Sequence, residues 1–280
     1  MCRVDAVRNP AAAAGRTIPV MRFKLTIEYA GTRYSGWQIQ KNARTVQGEL
    51  ARAVATVIES ADFELYGSGR TDAGVHALAQ VAHLEAHTPM QPEPLRRRLN
   101  EELPADINVL KVEQVRHHFH ARHSAVGRSY IYQVSRRRTA FAKPFVWWVK
   151  DELDVERMRL AARRFVGFHD FRAFSDVDPE ETSTDVLIDT LDIHEDEDLL
   201  VFHVEGSHFL WKMVRRLVGV LVEVGRGGLT DEDATRLLGA GDGLPARLTA
   251  PASGLFLERV FYEGDARDVG LRPPVSVLRA

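Results

Sequence analysis

The stretch V-L-I-D-T-L-D-I-H-E-D-E-D-L-L-V-F-H-V-E, Val186 to Glu205, reads as two strands in direct succession. Val186 to His194 is one and Leu199 to Glu205 the other, with only the acidic group Glu195-Asp196-Glu197-Asp198 between them. No helix intervenes. Working outward, the rest of the chain is mixed in the same way. Phe23, Leu25, Ile27 and Tyr29 alternate in F-K-L-T-I-E-Y, as in a half-buried strand, and G-T-R-Y-S-G-W follows as a loop. Thr45 is placed to cap a helix carrying Val46, Leu50, Val54 and Val57 on one face. Further strands are predicted at about Gln80 to Ala86, Ile107 to Val115, from Ser129, and at Ser253 to Tyr262. Helices are predicted at about Leu95 to Leu103, Asp154 to Val166, Phe209 to Val224 and from Asp231. The helix ending at Val224 is stopped by Gly225-Arg226-Gly227-Gly228. Strands and helices do not alternate strictly, so the pattern predicts an α+β fold with a largely antiparallel sheet. Residues 1–20 carry no apolar period and read as a disordered N-terminal extension.

The chain has 280 residues, enough for one large or two smaller cores, and 45% of them are hydrophobic. Its single cysteine, Cys2, excludes an internal disulfide and a cysteine metal site. No signal peptide or membrane span is legible, which predicts a cytoplasmic protein with no membrane partner. Net charge is −2, but the charges cluster. Basic groups stand at Arg96-Arg97-Arg98, Arg136-Arg137-Arg138 and Arg116 to His123; acidic groups stand at 178–181, 195–198 and 231–233. One such cluster is ordinary solvated surface; several together point towards a polyanion such as nucleic acid.

The chemistry centres on G-S-G-R-T-D-A-G-V-H, Gly67 to His76. Its glycines let backbone approach something closely, and its charged side chains are held outward. Asp72 in such a loop can be a nucleophile, a base, a metal ligand, or simply a turn residue bonded to nearby amides. A metal set built from Asp72, His76 and His83, or from His117, His118, His120 and His123, fits no zinc spacing, and Arg116 and Arg122 would repel a cation there. No nucleophile elbow, P-loop or dinucleotide fingerprint is present. The pattern favours chemistry by side chains alone.

On the long helix, Phe209, Met213, Leu217, Val220 and Val224 form one apolar face, and Trp211, Val214, Val218 and Val222 a second. Arg215 projects within the second face. Arg216 projects with Lys212, Gly219 and Glu223 and is expected to face solvent. A buried guanidinium requires a partner, because desolvating it alone costs several kcal/mol or more. Asp72, another carboxylate or a backbone carbonyl could serve Arg215.

Taken together, these pieces resemble the tRNA pseudouridine synthase A family. The matching segments are G-T-R-Y-S-G-W-Q with R-T-V-Q, G-R-T-D-A-G-V-H, L-P-A-D-I, F-H-A-R-H-S-A with R-S-Y-I-Y, H-D-F-R-A-F-S, F-L-W-K-M-V-R-R-L-V-G-V-L-V-E-V-G and G-L-F-L-E-R-V. They occur in order from about Met21 to Tyr262. The resemblance implies two α/β lobes with largely antiparallel mixed sheets, joined around a central RNA-binding cleft. The lobes would span 21–122, with the catalytic loop, and 123–264, followed by a tail at 265–280. It implies isomerisation of uridine to pseudouridine at positions 38, 39 and 40 of the tRNA anticodon stem-loop, with Asp72 as catalytic nucleophile. It places Tyr130 against the target base, Leu255 as an apolar wall, Arg215 beside Asp72, and Arg70 as an RNA or substrate contact. It implies a homodimer that needs no metal and no cofactor. Trp211-Lys212 departs from the family pattern, where other polar residues, often histidines, are common.

Overall fold

In the computed structural model, residues 19–176, 183–239, 243–267 and 270–277 are described. Strands β1 (Val20–Tyr29), β3 (His76–His87) and β4 (Ile107–Val115) come from the N-terminal half. Strands β5 (Ala125–Ser135), β7 (Gly167–Asp170), β8 (Asp185–Asp196) and β9 (Leu199–Gly206) come from the later part of the chain. The last strand, β10 (Leu255–Tyr262), joins the two sets into one sheet of order β4-β1-β3-β10-β5-β9-β8-β7. Short strands β2 (Phe63–Gly67) and β6 (Trp147–Trp148) pair with β3 and β5. All pairings are antiparallel except β10 with β3 and β5 with β6. The α+β class with a mostly antiparallel sheet agrees with the sequence pattern.

The helices are α1 (Val46–Ile58), α2 (Pro92–Glu102), α3 (Val155–Arg163), α4 (Met213–Gly225), α5 (Asp231–Arg236) and α6 (Leu244–Arg247). Local chemistry explains several of their starts. Thr45 Oγ1 accepts from the Gly48 amide at 3.2 Å, and Val46, Leu50, Val54 and Val57 are buried as their spacing predicts. Asp154 Oδ1 accepts from the Arg157 amide at 3.0 Å and starts α3.

Strand β5 begins at Ala125, ahead of Ser129, the short strands β2, β6 and β7 were not expected, and two further differences shape the site. Strand β3 begins at His76, not near Gln80, because His76 and Ala77 pair in parallel with Phe256 and Leu257 from the far end of the chain. Helix α4 begins at Met213, not Phe209. Lys212 adopts left-handed backbone, φ +64°, which no continuing right-handed helix permits. Phe209 to Lys212 therefore form a lead-in turn, closed by Met213 N–H donating to the Leu210 carbonyl at 3.1 Å.

Two core clusters flank β10. Leu257, Val260 and Tyr262 pack with the N-terminal strands and α1; Leu255 packs with α3, α4 and the C-terminal strands. The reverse face of the central sheet, with Ile131, Val201 and Phe256, is covered by Ala142, Val146 and Val277. The Val275 amide donates to Gln133 Oε1 at 3.2 Å, so the segment with Leu271, Val275 and Val277 is packed onto the sheet.

Of the predicted extension, residues 1–18 lie outside the described residues, and Val20 already pairs with His87 in β1. Among the described residues, a chain starting at Met21 gives up that terminal rung and the bond from the Thr88 amide to the Pro19 carbonyl at 3.3 Å, and terminal rungs fray readily. We expect its Tm to stay within about 3 °C of the full chain, equivalent to about 1 kcal/mol. A larger fall in thermal denaturation would place the first 20 residues in the core.

Candidate active site

The parallel pair of β3 and β10 brings the Gly67–His76 loop to the seam between the two halves. Strand β10 aligns Phe256 with His76 on one side, and Leu257 with Tyr130 and Leu255 with Tyr132 on the other. Asp72 lies in the loop just before β3, and Arg215 reaches it from the first turn of α4.

The loop is held by close backbone approaches. The Trp37 amide donates to the Thr71 carbonyl at 3.0 Å, and the Tyr29 hydroxyl bonds Thr71 Oγ1 at 2.8 Å. The Val75 amide donates to the Asp72 carbonyl at 3.1 Å, closing the turn behind the carboxylate. Gly31 leaves room for the loop: a Cβ there would stand 1.9 Å from the Val75 carbonyl oxygen. Backbone cannot yield as a side-chain tip can. We therefore expect Gly31→Ala to cost about 1–3 kcal/mol or more in urea unfolding, the range for overpacking. An unchanged unfolding midpoint would mean that the loop relaxes freely.

His76 ends the motif but turns to the reverse face. Its Nδ1 accepts from the Gly31 amide at 3.0 Å, and its Nε2 donates to the Pro144 carbonyl at 3.0 Å. That pair of contacts defines a neutral Nε2–H tautomer. Burial lowers its pKa, outweighing the carbonyl contacts, which raise it. This histidine ties the loop to the sheet.

Both oxygens of the Asp72 carboxylate have a donor. Arg215 Nη1 donates to Oδ2 at 2.8 Å, and the Trp211 indole Nε1–H donates to Oδ1 at 2.9 Å. Arg215 Nε donates at the same time to the Ala250 carbonyl at 2.8 Å, so its guanidinium is fixed on two sides. The side chains of Asp72 and Arg215 are 21% and 16% exposed, so the pair is largely withdrawn from water yet reachable. Arg215 thus meets both a carboxylate and a carbonyl, two of the partners its burial left open.

Tyr130 stands half-buried beside this pair. Burial pushes its phenol pKa up to about 12; the nearby Arg128 guanidinium lowers it and the Asp72 charge raises it. Its ring meets Phe209 edge-on at 5.1 Å between centroids. The tyrosine is a neutral, supported aromatic surface at any ordinary pH. Leu255, 7% exposed, shares a core cluster with Val75, three residues beyond Asp72. Arg70 is exposed on the outer part of the loop.

Three features of the site escaped the sequence reading. Arg216 does not face solvent: it is 3% exposed and pairs with Asp176, which Lys212 Nζ also meets at 2.5 Å. Helical phase gave its direction correctly, but residues from the 171–176 segment fold over that stripe. Lys212 and Arg216 together lower the Asp176 pKa, the Lys212 contact contributing most. Trp211, read as part of an apolar helix face, is 45% exposed and points its N–H at Asp72. Arg128, in the R-S-Y-I-Y segment, laces the site together through the Ser68 carbonyl at 3.0 Å and the Ser207 carbonyl at 3.2 Å. Desolvation lowers its pKa, with the Tyr130 and Tyr262 phenols acting in the opposite sense.

The surface clusters are partly self-neutralised. Glu93 meets Arg96 and Arg97, and the 195–198 turn meets Arg136 and Arg137. Such exposed pairs contribute about 0–1 kcal/mol each. The acidic group at 178–181 lies outside the described residues. His83 bonds Glu64 at 2.8 Å and His117 bonds Glu85 at 3.1 Å; among the described residues no group of three or more His, Cys, Asp and Glu could hold a metal ion. Among the same residues no helix is long and apolar enough to cross a membrane.

This arrangement offers a doubly held carboxylate, a neutral aromatic ring and an aliphatic side chain on one seam. The model of a family described as tRNA pseudouridine synthase matches residues 25–124 and 161–263, both sides of that seam. A tRNA pseudouridine synthase A of Rhodopseudomonas palustris strain BisA53 is 42% identical over 245 residues, covering 86% of this chain and 99% of its own length. A tRNA pseudouridine synthase A 2 of Clostridium tetani is 38% identical over 243 residues, covering 85% and 98%. One from Limosilactobacillus reuteri is 41% identical over 247 residues, covering 86% and 96%. The chain therefore belongs to the tRNA pseudouridine synthase family and is an RNA pseudouridine synthase, an isomerase.

Proposed function

We propose that the protein converts uridine to pseudouridine at positions 38, 39 and 40 of the tRNA anticodon stem-loop, with Asp72 as the nucleophile. The observation that carries this reading is the Asp72 carboxylate, with Arg215 on one oxygen and Trp211 on the other, beside Tyr130. Pseudouridine formation breaks the N1–C1′ bond, turns the uracil and rejoins it through C5. Nothing is added and no electrons are exchanged, so one ionised carboxylate and a pocket for the base suffice. A uridine inside a stem-loop must leave its stack to reach such a group. Tyr130 provides a ring for the extruded base, Leu255 an apolar wall and Arg70 an outer contact to the RNA. The choice of positions 38, 39 and 40 rests on the ordered resemblance to the tRNA pseudouridine synthase A family, to which the relatives' names add support.

By the same resemblance the enzyme acts as a homodimer without metal or nucleotide cofactor, and the sequence, with no legible signal peptide or membrane span, supports a cytoplasmic location. Activity is expected to survive exhaustive chelation when monovalent salt keeps the tRNA folded. Loss restored only by stoichiometric metal would overturn that part. The function itself is tested by mapping pseudouridine in unmodified tRNA incubated with the purified protein. New pseudouridine confined to 38, 39 and 40 is expected; modification elsewhere, or none, would refute the assignment.

A further inference from the structure

We propose that Trp211 is a positioning residue for Asp72: its indole N–H holds Oδ1 while Arg215 holds Oδ2, so that the carboxylate plane is fixed before RNA arrives. This rests on the reading of Asp72 as nucleophile. A carboxylate bonded through one oxygen can still rotate about its Cβ–Cγ bond, a soft two-fold torsion. A second donor on the other oxygen removes that freedom. The two donors approach from different places, Arg215 from within α4 and Trp211 from the turn ahead of it, at 2.8 and 2.9 Å.

The surroundings of Trp211 are built to hold it. It is 45% exposed, so hydrophobic burial alone does not set its ring. Lys212 adopts φ +64°, an uncommon conformation for a residue with a side chain, and this turns the chain sharply between Trp211 and α4. The Lys212 ammonium lies 4.8 Å from the centre of the indole and bonds Asp176 at 2.5 Å. Asp176 in turn is held by the buried Arg216. Leu210, on the other side, is 4% exposed and anchors the turn in the core. A merely exposed tryptophan needs none of this.

The chemistry separates donor from ring. Phenylalanine keeps an aromatic ring without an N–H. Histidine places Nε2 across a five-membered ring from Cβ, close to where the indole nitrogen stands, and can donate from it. Turnover at saturating tRNA, KM for tRNA and Tm are to be measured for the wild type, Trp211→Phe, Trp211→His and Asp72→Asn. A hydrogen bond to a charged group corresponds to about a tenfold effect or somewhat more. We expect Trp211→Phe to lose about tenfold in kcat with KM within about twofold. Trp211→His should recover kcat to within about threefold of wild type, and Tm should hold in both, because the residue is exposed.

Wild-type kcat in Trp211→Phe would overturn the proposal. So would an equal loss in Phe and His, which would assign the residue to its ring and not its donor. Asp72→Asn separates the two claims. If it is inactive while Trp211→Phe is normal, the positioning role alone fails. If it turns over, the reading of Asp72 fails with it.

Discussion

Asp72→Asn is expected to lose at least about a thousandfold in pseudouridine formation while binding tRNA within about threefold of wild type. Removal of a catalytic nucleophile abolishes the covalent step, and losses of about a thousandfold or far more follow in other enzymes. The amide is nearly isosteric with the carboxylate, so the loop need not move. It can still accept from Arg215 or Trp211 through its one oxygen, and the ring of Tyr130 is untouched. RNA affinity is distributed over many phosphate contacts, and exchanging one pocket carboxylate for a neutral amide removes none of them. Tritium release from uridine-labelled tRNA, with binding measured by filter retention, checks both halves. Substantial turnover by this variant would exclude Asp72 as the nucleophile.

The second large effect contrasts two adjacent arginines. Arg215→Ala is expected to lose about 10²–10³-fold in kcat, the scale for losing one donor from a preorganised site. Two bonds go at once, to Asp72 Oδ2 and to the Ala250 carbonyl. Arg215→Lys should recover little, because a single ammonium cannot span the two acceptors that the planar guanidinium meets together. Arg216→Ala should act differently. Its guanidinium is buried against Asp176 and reaches the site only through Asp176 and Lys212, which stay paired without it, so its loss is chiefly one of stability. About 1–3 kcal/mol is expected, since Asp176 keeps Lys212 and some access to water. Thermal unfolding should show a drop of several degrees, and kcat at saturating tRNA should stay within about threefold. Steady-state kinetics and melting of all three variants decide it. A fast Arg215→Ala enzyme, or a stable but inactive Arg216→Ala one, would reverse the assignment.

Helix α1 was legible because its information is local: a Thr45 cap and apolar residues one turn apart determine where it begins and which face is buried. The strands at Val186 and Leu199 were legible for the same reason. The place of β10 was not. Its parallel pairing with His76 and Ala77 joins residues far apart in the chain, and no local period encodes it. That pairing is what carries Leu255 and Tyr130 to the loop bearing Asp72. Arg216 illustrates a second limit. The phase of α4 set its direction, but its partner Asp176 stands 40 residues earlier in the chain. Trp211 illustrates a third. The left-handed Lys212 takes it off the helix, so a helical wheel assigned it to the wrong surroundings. Arg215 stood out because a guanidinium among hydrophobes is costly without a partner, whereas the loop alone left Asp72 open to a plain turn role and only the ordered resemblance assigned it the chemistry.

The most direct measurement is a structure of the Asp72→Asn protein bound to an unmodified anticodon stem-loop. One uridine is expected turned out of the RNA, its sugar and base edge against residue 72 and its uracil ring between Tyr130 and Leu255. The amide oxygen of residue 72 should still accept from Arg215 or from Trp211. RNA bound with every uridine stacked in the loop, or with the extruded base held away from residue 72, would contradict it.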